Sequence, residues 1–274
     1  MKVFISSDME GTAGVVDWEH VRPGSPDYPY FAGLLRAEVN AAISGAMEAG
    51  ADRFLVNDSH GRMANLHPDG LAGRASYLSG RFKPRYMMQG LDESFDAVFF
   101  VSYHGSMSSR GSVLSHTYFP AAIAQVTLNG VVVGEAGINA LAALAHGVPV
   151  LLVTGDDVTA AELAPLCPDA RSAVVKRSLT RFCAESLHPE AACELIRAEA
   201  RAAIEGATAA RLPAIALPAS IGIQFHSSDY AELAARVAGV ERTGDVTAAL
   251  VGDGPLDLFE RFITIVLLCR GLVE

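Results

Sequence analysis

Short apolar, β-branched runs alternate along this chain with Ala-rich segments at helical period, and no other feature limits its fold so strongly. That alternation is the mark of an α/β fold. KVFIS (2–6) reads as a first strand, RFLVN (53–57) as a second, DAVFFVSY (96–103) as a third and VPVLLV (148–153) as a later one. Between them, the stretch from Phe31 to Ala49 reads as a helix closed by Gly50, and AGINALAALAHG as another. A long Ala-rich helix is expected from about Pro189 to Gly206. In AQVTLNGVVVGE the Asn129-Gly130 pair sits between two alternating runs, which predicts a hairpin. After Pro213 the texture changes: strand-like IALPASIGIQFH leads to a short helix (Tyr230–Val237), a strand and a closing helix from Leu256. The expected fold is α/β, with a mostly parallel central sheet flanked by helices and a smaller C-terminal α+β subdomain. A catalytic domain over 1–210 and a subdomain over 211–274 follow, with a soft boundary because no repeat or linker marks it.

At 274 residues, half of them hydrophobic, the chain is long enough to bury a sizeable core. No apolar run approaches the roughly 20 residues of a membrane helix. ITIVLLC, preceded by Glu260 and Arg261, reads as a buried helix face. MKVFISSDME lacks the apolar stretch and cleavage site of a secretory signal. Cys167, Cys183, Cys193 and Cys269 show no CxxC spacing, so neither a disulfide frame nor a thiolate zinc site is expected. We therefore expect a cytoplasmic protein. A net charge of −10 without any basic block argues against nucleic acid as a partner, and no membrane partner is expected.

Metal-capable side chains fall where the apolar runs end. Asp8 and Glu10 follow FIS, Asp58 and His60 follow FLV, His104 follows VFFVSY, and Glu135 follows VVVG. In open α/β sheets ligands bind at the carboxyl ends of the strands, so parallel strands would gather these residues at one rim. The weak point is Glu135, whose preceding strand belongs to the hairpin and is free to run antiparallel. Each position alone has an ordinary explanation: a helix cap or loop acid for the carboxylates, a surface or satisfied core residue for the histidines. Their joint occurrence at four strand ends argues for a site. Asp8, Glu10 and Glu135 carry three negative charges and His60 and His104 bind as neutral imidazoles, so two divalent ions leave one positive charge, which a hydroxide cancels. Mixed His and carboxylate ligation suits zinc, and two zincs roughly 3.5–4 Å apart form a hydrolytic pair. Asp8, which leads the motif, is the natural bridge. Asn57, Asp58 and Ser59 are candidates to orient the ligands or hold the loop, and Gly11 and Gly14 to let the backbone pass closely or turn.

SDMEGTAGV, NDSHG, SYHG, LSHTYFP and GEAGINA, in that order and at those intervals, resemble the zinc D-aminopeptidases encoded in bacterial dipeptide-transport operons. The motifs cover Met1 to about Pro165; the C-terminal part is similar in length and texture. The resemblance implies two Zn2+ per chain, bridged by Asp8, with Glu10 and His104 completing one site and His60 and Glu135 the other. It implies that His116, in LSHTY, is the catalytic residue. It also implies hydrolysis of short peptides with an N-terminal D-residue, D-alanine above all, and assembly into a ring-shaped homo-oligomer. Because two zincs already activate water, we read His116 as a base that passes the proton to the leaving amine rather than as a nucleophile.

DMEGT also resembles the DxDGT motif of haloacid-dehalogenase-type phosphatases, with TGDDVTA (154–160) as the acidic magnesium motif. Asp8 would then be the nucleophile and Asp156 or Asp157 would hold magnesium. Against this, the second acid is Glu10, and magnesium's preference for oxygen leaves His60 and His104 without a task. Asp156 and Asp157 read instead as a helix N-cap. A binding module of the same fold would need neither the ligands nor the base.

Overall fold

Strand β1 (Lys2–Ser7) is buried from Val3 onward and lies at the heart of the molecule, described over residues 1–272 in a computed structural model. The strands that follow are β2 (Arg53–Asp58), β3 (Ser76–Leu78), β4 (Ala97–Tyr103), β5 (Ile123–Leu128) and β6 (Val131–Val132). Next come β7 (Val150–Asp156), β8 (Arg171–Thr180), β9 (Cys183–Ser186), β10 (Ala219–Phe225), β11 (Val240–Arg242) and β12 (Thr247–Gly252). The helices are α1 (Trp18–Val21), α2 (Tyr28–Glu48), α3 (Glu135–Ala145), α4 (Asp157–Leu163), α5 (Pro189–Glu205), α6 (Ser228–Ala234) and α7 (Pro255–Cys269).

Seven strands form the larger sheet in the order β3-β2-β1-β4-β7-β8-β9. All its pairings are parallel except β8 with the edge strand β9. Helices cover both faces, so central strands have no solvent side; β4 and β7 are buried at every residue, which is why they appear in sequence as unbroken apolar runs. Successive side chains point to opposite faces. Val3 and Ile5 therefore pack with Val39 and Ile43 of α2 and Ile196 of α5, whereas Phe4 joins the core of α3 and α7. Gly45 lets α2 meet α5 closely, since a Cβ there would lie 2.1 Å from the Arg197 carbonyl oxygen. No described helix is long and apolar enough to cross a membrane.

The smaller sheet, β11-β12-β10-β5-β6, is antiparallel throughout. The hairpin turn is as expected, with Asn129 and Gly130 at φ 51° and 80°. Its outer edge, however, pairs with β10 from far along the chain, so the boundary at 210/211 does not follow the division between the sheets. Local turn chemistry marks a hairpin; it carries no information about the strand that will add to it. The short helix also lies two to three residues earlier than expected, and the stretch 171–186, given no element from sequence, forms β8 and β9.

Candidate metal centre

β2, β1 and β4 are neighbours and run in parallel, so their carboxyl ends lie side by side. Asp8 sits one residue past β1, His60 two past β2 and His104 one past β4. Strand-like hydrogen bonds continue beyond the ends: Asp8 N donates to Val101 O (2.9 Å) and Ser59 N to Ser7 O (2.8 Å). Gly11 N reaches Ser102 O at 2.8 Å, an approach only glycine permits, because a Cβ would lie 2.0 Å from the Tyr103 carbonyl oxygen. The pairing of β4 with β7 shifts register between Phe100 and Tyr103, and Ser102 takes the left-handed conformation (φ 60°). This irregularity turns the chain just before His104, a common use of a bulge beside a site.

Glu135 arrives by a different route from the one expected. β6, which precedes it, is antiparallel and belongs to the smaller sheet. Glu135 is the first residue of α3, after its cap Gly134. Three parallel strand ends and one helix start thus converge, rather than four parallel strand ends.

The ligand atoms meet closely. His60 Nδ1 lies 2.9 Å from Glu10 Oε2 and 3.5 Å from Asp8 Oδ1. His104 Nε2 lies 3.4 Å from Asp8 Oδ2 and 3.9 Å from Glu135 Oε1. Among the described residues, three sets of side chains could each hold an ion: Asp8–Glu10–His60, Asp8–His104–Glu135 and Glu10–His104–His116. Asp8 is shared by two of them. Glu10 and His104 do fall in one set, but none unites His60 with Glu135, the pair implied by the resemblance.

Backbone carbonyls fix the imidazole tautomers. His60 donates Nε2–H to Val21 O (2.8 Å), His104 Nδ1–H to Gly105 O (2.8 Å) and His116 Nδ1–H to Leu114 O (2.9 Å). When neutral, each ring therefore aims a bare nitrogen into the site, the arrangement a metal-binding or proton-accepting imidazole needs. Asp8 Oδ2 and His104 Nε2 are buried without a hydrogen-bond partner among the described residues. Leaving such atoms unpaired costs about 1–3 kcal/mol each; a cation between them satisfies both. The residues present fit a metal.

Charge tells the same story. Burial and the neighbouring Glu10 push the Asp8 carboxyl up to about 6, and burial pushes Glu135 up to about 8. Burial would depress His104, but Glu135, Asp8 and Glu10 outweigh it and lift the ring to about 9. The same contest lifts His60 well above its ordinary value, and His60 in turn holds Glu10 well below its own despite burial. Without an ion, protons on His60 and His104 neutralise the acids, so metal binding displaces protons from this centre. His116 behaves oppositely: burial and the adjacent His104 push it down to about 3. It stacks on His104 (4.3 Å), meets Trp18 edge-on (5.6 Å) and points Nε2 at Glu135 Oε1 from 3.6 Å. Its loop is held in the left-handed region at Leu114 and Tyr118, at a cost of about 1–3 kcal/mol per residue. The Tyr118 amide donates to Glu135 at 2.6 Å.

Asn57 and Asp58 do not touch the ligand atoms. Asn57 donates to Tyr86 O and Met87 O and accepts from Lys83. Asp58 accepts from Asn65, Leu66 and the Tyr77 hydroxyl, and Asn65 in turn donates to His60 O. Both therefore hold the loop that carries His60. Two buried charges that sequence reasoning missed brace the Glu10 loop. Lys176 of β8 donates to the carbonyls of Glu10, Thr12 and Val15, and Glu38 of α2 accepts from Ala13 N (2.8 Å) and Ser102 Oγ (2.6 Å). Lys176 lies in an alternating strand and Glu38 in a regular helix, so neither carries a motif.

Burial raises the Glu38 carboxyl to about 7 from an ordinary 4.5. Its contribution to stability is thus full below pH 4.5 and lost as pH rises through about 7. Glu38→Gln keeps the shape without the charge. It is expected to stabilise the protein above pH 7 by on the order of 2–3 kcal/mol and to flatten melting temperature against pH between 5 and 8. An unchanged slope in the variant's melting curves would refute this role.

The phosphatase alternative finds no support. Asp156 caps α4 through Thr159 N (2.8 Å) and accepts from Ser112 and Ser178, while Asp157 accepts from Ser178 N. Neither belongs to a set with Asp8.

The centre opens into a cavity of about 370 Å³ whose walls include Trp18, Tyr86, Tyr118, Phe119, Arg81 and Arg270. None was anticipated as a wall residue; Tyr118 and Phe119 lie in the LSHTYFP motif, but Arg270 merely looks like a charge closing an apolar helix.

A family model described as D-aminopeptidase (peptidase family M55) matches residues 1–263. A D-aminopeptidase of Bacillus subtilis (strain 168) is 32% identical over 264 residues, spanning 96% of this chain and 96% of that protein. The solved structure of the Zn-dependent D-aminopeptidase DppA from Bacillus subtilis, a self-compartmentalizing protease, shares the fold with a TM-score of 0.93 at 30% identity, covering 100% of both chains.

Proposed function

The chain belongs to the D-aminopeptidase family, a group of metal-dependent peptide hydrolases, and on that footing we propose that it releases N-terminal D-residues, D-alanine foremost, from short peptides at a pair of zinc ions. Asp8, Glu10, His60, His104 and Glu135 would hold the pair, with Asp8 common to both ions. One observation carries this reading: two ligand sets share Asp8, and in them Asp8 Oδ2 and His104 Nε2 stand buried and unpartnered. When bound, the ions supply an acidified water and polarise the scissile carbonyl.

The chain's own residues do the rest. His116 has Nε2 free to accept a proton and return it to the leaving amine. The Leu114 carbonyl keeps that nitrogen unprotonated at rest. Trp18, Tyr118 and Phe119 line the approach, restricting water around the reacting bond. We further propose that copies of the chain form a closed ring in the cytoplasm. The description of DppA as self-compartmentalizing and the exposed apolar side chains of Phe82 (70%) and Phe182 (52%) support assembly.

Metal analysis and kinetics test the reading together. The zinc-loaded chain should carry about two ions, cleave D-alanyl amide in preference to its L-isomer, lose that activity on chelation and recover it with zinc. Full turnover by rigorously metal-free protein, or magnesium-dependent phosphate release in its place, would overturn it.

A further inference from the structure

Arg270 directly follows α7, at the far end of the chain from the motifs, yet it lines the same cavity as Asp8, Glu10, His116 and Glu135. Its guanidinium lies near the Tyr86 and Phe119 rings, at 5.2 and 5.5 Å from their centroids. Nη2 donates to the Tyr86 hydroxyl and to the Tyr118 carbonyl (3.3 Å), while Nε is buried with no partner among the described residues. Its hydrogen-bond acceptors there are thus both neutral oxygens. An arginine held by aromatic faces, with an unused buried donor and no carboxylate partner among the described residues, is ready for an anionic ligand.

Tyr118 measures how far that cation stands from the metal centre. Its amide donates to Glu135 Oε1 and its carbonyl accepts from Arg270, so the backbone of a single residue separates the two. In a dipeptide the terminal carboxylate carbon is three bonds from the scissile carbonyl carbon, roughly 4 Å in extended form. A guanidinium–carboxylate hydrogen bond adds about 2.8 Å. A substrate with its scissile carbonyl among the metal ligands therefore brings its terminal carboxylate within reach of Arg270. The cavity's other arginine, Arg81, is exposed.

Resting on the peptidase reading above, we propose that Arg270 binds the substrate's C-terminal carboxylate, which makes the cavity favour a dipeptide with a free C-terminal carboxylate over its amide. The test compares hydrolysis of D-alanyl-glycine with that of D-alanyl-glycinamide by the zinc-loaded protein. The free acid should show a KM lower by roughly 10- to 100-fold, the range of a hydrogen bond to a charged group. Arg270→Met should collapse that preference, chiefly through the KM of the acid, and Arg270→Lys should restore part of it. A purely structural role at the end of α7 would lower stability without changing the acid-to-amide ratio. Equal KM values in the unmodified protein overturn the assignment whether or not the variants fold. So does a preference that survives Arg270→Met, or one that disappears in Arg81→Met instead. Failure to hydrolyse either compound would overturn the peptidase reading itself, and this assignment with it.

Discussion

Asp8→Asn is expected to strip both ions and to lower kcat/KM by three orders of magnitude or more. Asp8 is the only carboxylate shared by the Asp8–Glu10–His60 and Asp8–His104–Glu135 sets. Asparagine preserves the shape but removes the negative charge facing both imidazoles, 3.5 Å from His60 and 3.4 Å from His104. A metal pair contributes several kcal/mol of charge stabilisation as well as the activated water, and each 1.36 kcal/mol is about a tenfold change in rate. Replacing Glu135 alone removes a ligand from one of the two shared sets, so its metal loss should be partial. Plasma emission on dialysed protein reads the ion content directly. Zinc should raise the melting temperature of the unmodified chain and leave that of the variant unmoved, because only a bound ligand stabilises the folded state. Two ions retained per chain by Asp8→Asn would end the bridging assignment.

The second large effect belongs to His116. His116→Ala should lower kcat by about 10²- to 10⁴-fold, the usual range for a lost proton carrier, while metal content and KM stay close to those of the unmodified chain. A loss confined to kcat is the signature of an interaction made only during reaction. The competing outcome is specific: His116 also lies within reach of Glu10 and His104. If zinc content falls together with kcat, His116 is a ligand and the proton carrier must be sought elsewhere.

Much of the centre was legible in the sequence because each parallel strand announces itself as an apolar run, and chemistry in such sheets collects where those runs stop. Asp8, Glu10, His60 and His104 obey that rule, and their strands are immediate neighbours. Glu135 does not obey it. Its meeting with the others depends on β5 adding to β10 and on α3 starting where the hairpin ends, and pairings so distant in sequence leave no local trace. The same reason hides Lys176 and Glu38, whose roles exist only because β8 and α2 pack against the Glu10 loop. Arg270 is hidden by distance along the chain. The carriers of chemistry had a pattern; the residues that support and surround them had only neighbours.

Glu135 hangs from the antiparallel layer, whereas Asp8, Glu10, His60 and His104 hang from the parallel one. Cations seated among them would act as rivets through two plates. Sliding one plate against the other would pull the rivet holes out of line, so integrity of the seam and competence of the centre are one mechanical property. A chain cut short before β10 would still spell every motif, yet it would lack the strand that pairs with β5 and steadies the hairpin leading to the last acid.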